Sequence, residues 1–127
     1  MRKKKTNKQK LMAKADKALQ DRTRSIYKYC YLCGASPIVG HHFIRKANST
    51  NLRYDIKNII PLCNNCHCAI HGSNESLYKA EIGIRKGKAW LEYLKKNKLN
   101  KDLRTNNKFY EEAIERLCID AKCVTQK

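Results

Sequence analysis

The sequence predicts an α+β fold. A small cysteine- and histidine-rich centre, carrying a hairpin and a short helix, is flanked by a basic helix before it and by amphipathic helices after it. Three observations carry that expectation. Apolar residues recur at helical spacing in residues 1–29 and again after residue 75, whereas between these stretches they come as short pairs. Five of the seven cysteines and all four histidines fall within residues 30–74. The net charge of +17 is divided along the same lines, with +9 in residues 1–29, +3 in 30–74 and +5 in 75–127.

In residues 1–29, 11 positive charges stand against 2 negative ones, and Leu11, Ala15, Leu19 and Ile26 mark one side of a helix. This reads as a basic helical arm, with residues 1–10 expected to be unstructured because so many neighbouring lysines repel one another. A solvated surface helix would leave the same pattern. In the centre, Ile38-Val39 and Phe43-Ile44 suit a small hairpin, and residues 64–71 followed by Gly72 suit a short helix with a glycine stop. Leu77, Tyr78, Ile82 and Ile84, then Trp90, Leu91, Tyr93 and Leu94, give one or two amphipathic helices. Residues 109–118 give another, with Asn106-Asn107 before it as a cap. The aromatics are expected to pack over the centre; base stacking is the lesser alternative.

A chain of 127 residues matches the usual size of one domain, about 100–150 residues, so it divides into segments 1–29, 30–74 and 75–127 around one small core. No apolar run approaches the ~20 residues that cross a bilayer, and no signal peptide is visible. A cytoplasmic protein with no membrane partner is expected. The odd cysteine count then argues against a disulfide framework and for reduced thiols. An excess of 17 positive charges favours a polyanion, most simply the phosphate backbone of nucleic acid.

Cys30-Tyr-Leu-Cys33 and Cys63-Asn-Asn-Cys66 are two CxxC pairs with 29 residues between them. Each such knuckle brings two thiolates to one ion, and two knuckles complete a tetrahedral shell, so Cys30, Cys33, Cys63 and Cys66 predict a structural zinc. Gly34 supplies the permissive backbone that the first turn needs. A redox CxxC lacks the βαβ surroundings it requires, and an iron–sulfur cluster fits the long separation less well. Cys68, Cys118 and Cys123 are left over as small half-buried residues or free thiols.

The histidines lie in one 31-residue window. His67 and His71 are four apart, so on a helix they project from one face as two ligands of a second ion. His41 and His42 are adjacent, and a strand would send them in different directions, one to the metal and one to a water. A neutral imidazole suits general-base work. Additional zinc ligands or solvent-facing turn residues are the alternative reading of that pair.

The order Cys30-x-x-Cys33, His41-His42-Phe43, Asp55-x-x-Asn58-Ile59-x-Pro61-Leu62-Cys63-x-x-Cys66-His67-x-x-x-His71-Gly72 resembles the HNH endonuclease motif on a ββα-metal (His-Me finger) core with an accessory zinc site. The resemblance covers about residues 28–74. It implies that His42 is the general base, that Asn58 holds the hairpin and orients His42 by hydrogen bonding, and that His41, His67 and His71 hold a catalytic divalent ion. His41 then stands where many members have Asp. Mg²⁺ or Mn²⁺ is the expected ion, with Zn²⁺ and Ni²⁺ as alternatives. Hydrolysis leaving a 3′-hydroxyl and a 5′-phosphate is the implied reaction.

A narrower resemblance runs through Cys-x-x-Cys-Gly, Gly40-His41-His42-Phe43, Leu52-Arg53-Tyr54, Asn58-Ile59 and Tyr78, which are similar to phage NinG-type recombination nucleases. Those proteins need not carry the Cys66-His67 step or the Ile-Pro-Leu run. It implies phage or recombination DNA as substrate, in a bacterial or phage-infected cell.

Affinity for DNA is expected from phosphate contacts of low sequence specificity by Arg2, Lys3, Lys4, Lys5, Lys8 and Lys10, with Arg45, Lys46 and Arg53 nearer the site. A zinc-stabilised DNA-binding module without chemistry is the alternative function. A helical adaptor braced by zinc would leave the clustered histidines and the charge unexplained.

Overall fold

In the computed structural model, residues 4–46, 48–98 and 107–118 are described. Helix α1 (Asn7–Ile26) is followed by strand β1 (Ile38–His42), a single 3-10 turn (Ile56–Asn58), strand β2 (Ile59–Cys63) and helix α2 (Asn64–Ile70). Helices α3 (Glu75–Lys86), α4 (Lys88–Lys98) and α5 (Asn107–Leu117) follow among the described residues. The result is a mixed α+β fold with one two-stranded antiparallel sheet.

Local chemistry explains where α1 begins. Thr6 and Gln9 form a reciprocal capping box, with the Gln9 N–H donating to Thr6 Oγ1 at 3.2 Å and the Thr6 N–H donating to Gln9 Oε1 at 2.9 Å. The helix therefore starts at Asn7, within the stretch expected to be unstructured; residues 1–3 lie outside the described part. Its buried face of Ala15, Ala18, Leu19 and Thr23 packs against α5 and the sheet, so α1 is part of the fold rather than a projecting arm.

The hairpin differs from the expected one. Ile38-Val39 begins β1, but its partner is β2, in the register Ile38↔Cys63 to His42↔Ile59. Phe43-Ile44 lies outside the sheet because the Asn58 amide takes both backbone groups of Ile44, accepting from its N–H at 2.8 Å and donating to its carbonyl at 3.0 Å. Pro61 sits opposite Gly40 at a non-hydrogen-bonded pair. Its carbonyl points outward to the Tyr31 N–H at 2.8 Å, so its missing N–H costs the ladder nothing.

Strand β2 is buried along its whole length because it divides two cores. On one side, Ile60 and Leu62 join Ile38, Phe43, Leu52, Ile70, Ile82 and Leu94, placing α3 and α4 against the cysteine- and histidine-rich centre. The aromatics are part of this packing: Phe43 meets Trp90 edge to face at 4.8 Å between centroids, and Trp90 Nε1 donates to the Lys57 carbonyl at 2.7 Å. On the other side, Ile59 joins Leu19, Tyr54, Tyr110, Ala113, Ile114 and Leu117, so α5 packs on α1.

Gly87 has φ +96° and divides the expected helical stretch into α3 and α4. Gly72 does not supply a left-handed stop, since α2 closes through its N–H donating to the Ala69 carbonyl at 3.1 Å.

Gly40 is needed for space. A Cβ there would stand 2.8 Å from Ile59 Cγ2 and 3.0 Å from Thr23 Oγ1, both on buried residues. Gly40→Ala is expected to destabilise the chain by about 1–3 kcal/mol through overpacking between α1 and β2, read as a lower midpoint in urea unfolding.

Candidate metal centres and active site

The first cysteine knuckle follows α1. The Gly34 N–H returns to the Cys30 carbonyl at 3.0 Å, the Cys33 N–H points to Cys30 Sγ at 3.5 Å, and Gly34 takes the left-handed φ of +79° that the turn was expected to need. The second is built into the end of β2, where Cys63 caps α2 and receives the Cys66 N–H on its Sγ at 3.5 Å. The tertiary fold brings the four sulfurs of Cys30, Cys33, Cys63 and Cys66 within 4.8 Å of one another. Tetrahedral zinc with Zn–S bonds of about 2.3 Å sets its sulfurs about 3.8 Å apart, so this cluster is compatible with a structural zinc ion.

Charge in the cluster points the same way. Burial alone would raise the Cys30 thiol, but backbone N–H groups at Cys63, Cys33 and Leu32 hold it at about 6. Cys66 is pushed well up, by burial first and then by the other three sulfurs. The Cys30 thiolate forms readily, whereas a Cys66 thiolate needs a cation beside it. Cys68 is exposed on α2, outside the cluster, Cys118 is half-buried at the end of α5, and Cys123 lies outside the described residues.

On the neighbouring side of the module, His41 from β1 meets His67 and His71 from α2 and its C-cap. Their ring centroids are 5.3 Å (His41–His67), 5.2 Å (His41–His71) and 4.6 Å (His67–His71) apart. One nitrogen from each lies within a 4.8 Å set. His41 is 6 % exposed, and its Nε2 is buried with no hydrogen-bond partner. Such an orphaned nitrogen costs about 1–3 kcal/mol unless something accepts its lone pair. Burial foremost, then His67, His71, His42 and Lys79, lowers its pKa to about 3, so it stays a neutral donor. His67 is half-buried and His71 exposed, leaving the cluster open on one side. These residues fit a divalent ion.

His42 is the next residue on the strand and therefore points to the opposite face. Its Nε2 lies 2.8 Å from the Arg53 carbonyl, which can only accept, so Nε2 carries the proton and Nδ1 holds the free lone pair. Burial lowers its pKa most, opposed by that bond to Arg53 and aided by Lys46. Asn58 was expected to hydrogen-bond His42. Among the described residues its amide instead bonds Ile44 and, at 3.2 Å, the Leu52 carbonyl, so it braces the loop that carries Arg53.

The basic candidates part company. Lys4, Lys5, Lys8 and Lys10 are exposed at the start of α1, and Lys46 is exposed beside the His42 loop; Arg2 and Lys3 fall outside the described residues. Arg45 pairs with Glu75 on α3. Arg53 does not project for a phosphate: its guanidinium grips Asp16 Oδ2 at 3.0 Å and Oδ1 at 3.1 and 3.3 Å, with 16 % of its side chain exposed. Asp16 and Lys79 carry no motif that marks them in the sequence. Asp16 had one visible signal, as one of only two carboxylates in residues 1–29.

Residues 29–73 match the family model of HNH endonucleases. The likeness to an HNH domain covers 45 of the 127 residues. The match spans both cysteine pairs, both strands and α2, and leaves α1, α3, α4 and α5 outside it. No curated protein and no solved structure matches the chain. An HNH domain supports nuclease activity on DNA, and HNH nucleases use a divalent metal. No helix among the described residues is long and apolar enough to cross a membrane.

For a structural zinc in this cluster, adding a chelator is expected to lower the melting temperature of the chain by roughly 10 °C or more, and Cys63→Ser to do the same, because binding free energy is folding free energy in such a site. Cys68→Ser should melt like the wild type. Circular dichroism with metal analysis reads all three.

Proposed function

We propose that the chain is a metal-dependent DNA endonuclease that hydrolyses phosphodiester bonds, with His42 as general base and His41, His67 and His71 as ligands of the divalent ion. The observation that carries this reading is the orphaned Nε2 of buried His41 facing two more imidazoles while His42 points the other way. A divalent ion held there supplies Lewis-acid stabilisation for the charge that develops on the phosphate. Mg²⁺ or Mn²⁺ is the proposed ion, with Zn²⁺ or Ni²⁺ also suited to imidazole.

The chain's own residues do the rest. His42, its Nε2 proton held by the Arg53 carbonyl, presents Nδ1 to take a proton from water. Asn58 keeps that loop in place. Lys46 disfavours the protonated imidazole before the reaction. Lys4, Lys5, Lys8, Lys10, Lys46 and Arg45 give DNA affinity through phosphates, without base readout. In this reading residues 30–74 form the catalytic and zinc-bearing unit, and residues 1–29 and 75–127 support it and grip DNA. Action on phage or recombination intermediates rests on the narrower NinG-type resemblance.

His42→Ala is expected to reduce cleavage of plasmid DNA by about 10²- to 10⁴-fold while leaving DNA affinity within about twofold, measured by nicking assays and by fluorescence anisotropy. Binding without cutting by the wild type, across several divalent ions and linear, nicked, single-stranded and four-way substrates, would leave a zinc-stabilised DNA-binding module. Replacing Lys4, Lys5, Lys8 and Lys10 by Ala should reduce the slope of log K against log salt by up to about 0.9 per lost phosphate contact on duplex DNA, without changing the bond cut.

A further inference from the structure

The HNH match begins at residue 29, yet two side chains of α1 reach into it at the points that determine where His42 sits. Gln20 pairs with Gly40 reciprocally. The Gly40 N–H donates to Gln20 Oε1 at 2.7 Å, and Gln20 Nε2 donates to the Gly40 carbonyl at 3.0 Å. This amide occupies the edge of β1 that β2 leaves open, two residues before His42. Asp16 lies one helical turn earlier, on the same face. It takes the Arg53 guanidinium through both carboxylate oxygens, at 3.0 to 3.3 Å. The carbonyl of that same Arg53 accepts the His42 ring proton at 2.8 Å.

One face of α1 therefore holds both ends of the hydrogen bond that selects the His42 tautomer. Gln20 fixes the strand from which the imidazole projects, and Asp16 fixes the loop residue whose carbonyl receives its proton. Neighbouring contacts make the clamp stiff. The Arg53 guanidinium lies 5.4 Å from the Tyr54 ring centroid, and the fully buried Tyr54 reaches the Met12 carbonyl of α1 at 3.5 Å. From α5, Arg116 donates to the Tyr54 carbonyl at 3.4 Å. The absence of a side chain at Gly40 is what lets Gln20 and Thr23 come this close.

We infer that Asp16 and Gln20 are positioning residues of the active site, acting through Arg53 and Gly40 to hold His42 as the Nε2-protonated tautomer with Nδ1 presented for proton abstraction. This rests on the proposed nuclease reading for its catalytic consequence and on the structure alone for the tautomer. A partner that orients a catalytic group through another residue is commonly worth about 10- to 100-fold in activity.

The test uses the full zinc-loaded chain and two readouts at one fixed pH. A long-range ¹H–¹⁵N correlation spectrum, with His42 assigned by comparison with His42→Ala, reports the tautomer. Cleavage of supercoiled plasmid with Mn²⁺ reports kcat and KM. In Asp16→Asn and in Gln20→Ala, the His42 signals are expected to move from the Nε2–H pattern toward an average of both tautomers, and kcat to fall about tenfold with KM within about twofold. Asp16→Glu, which retains the carboxylate, should recover most of both. Ile114→Val loosens the same α1–α5 core without touching either contact, and should leave tautomer and kcat unmoved.

Unchanged His42 signals in both Asp16→Asn and Gln20→Ala would overturn the inference, as would losses that Ile114→Val reproduces, since α1 would then support only the fold. A wild-type chain that cuts no DNA would remove the nuclease reading, while the tautomer spectra would still decide whether the clamp exists.

Discussion

Pairing of β1 with β2 is the constraint on which the rest of the molecule depends. The ladder is only five residues on each side, yet it separates His41 from His42 by the alternation of a strand, one imidazole to α2 and the other to the Arg53 carbonyl. A slip of one residue would exchange the two faces and dissolve both arrangements. Register is held against that slip from both edges. Pro61 and Gly40 face each other with their polar groups turned outward, where Tyr31 and Gln20 meet them, and Ile59 and Ile60 are buried in different cores.

The ladder also joins the two clusters of metal-ligating side chains. Cys63 closes β2, caps α2 and contributes a sulfur to the four-cysteine set, and α2 then carries His67 and leads to His71. A zinc ion among the cysteines would fix the start of α2 and, through that helix, the spacing of His67 and His71 from His41. Two small cores on either side of β2, each of about ten buried residues, leave such a chain reliant on this kind of local cross-link.

Charge is arranged with the same economy. His41 and His67 are kept neutral by burial first and then by the neighbouring imidazoles, so both are ready to donate lone pairs in a strongly basic protein. Carboxylates are few, and several are placed at single points of the fold: Asp16 holds Arg53, Glu75 holds Arg45, and Asp55 receives the Tyr93 hydroxyl while capping the 3-10 turn that ends at Asn58. Arg53, which in the sequence looked like one more phosphate contact, is thereby a structural link between α1 and the loop beneath His42.

The amino-acid sequence by itself determined the elements whose signals are local. Helical periodicity located α1, the stretch that forms α3 and α4, and α5; the spacing of Cys30, Cys33, Cys63 and Cys66 marked the sulfur cluster, and the i, i+4 relation of His67 and His71 put them on one side of the short helix and its C-cap. Only the tertiary structure decided what depends on partners far along the chain. The mate of β1 proved to be β2 rather than Phe43-Ile44, because the Asn58 amide captures Ile44. The partner of His42 proved to be Arg53 rather than Asn58, because Asn58 acts on the loop. The role of Arg53 followed from Asp16, 37 residues earlier. A periodic face or a knuckle is written in neighbouring residues, whereas a hydrogen bond between distant groups exists only after the cores on both sides of β2 have closed.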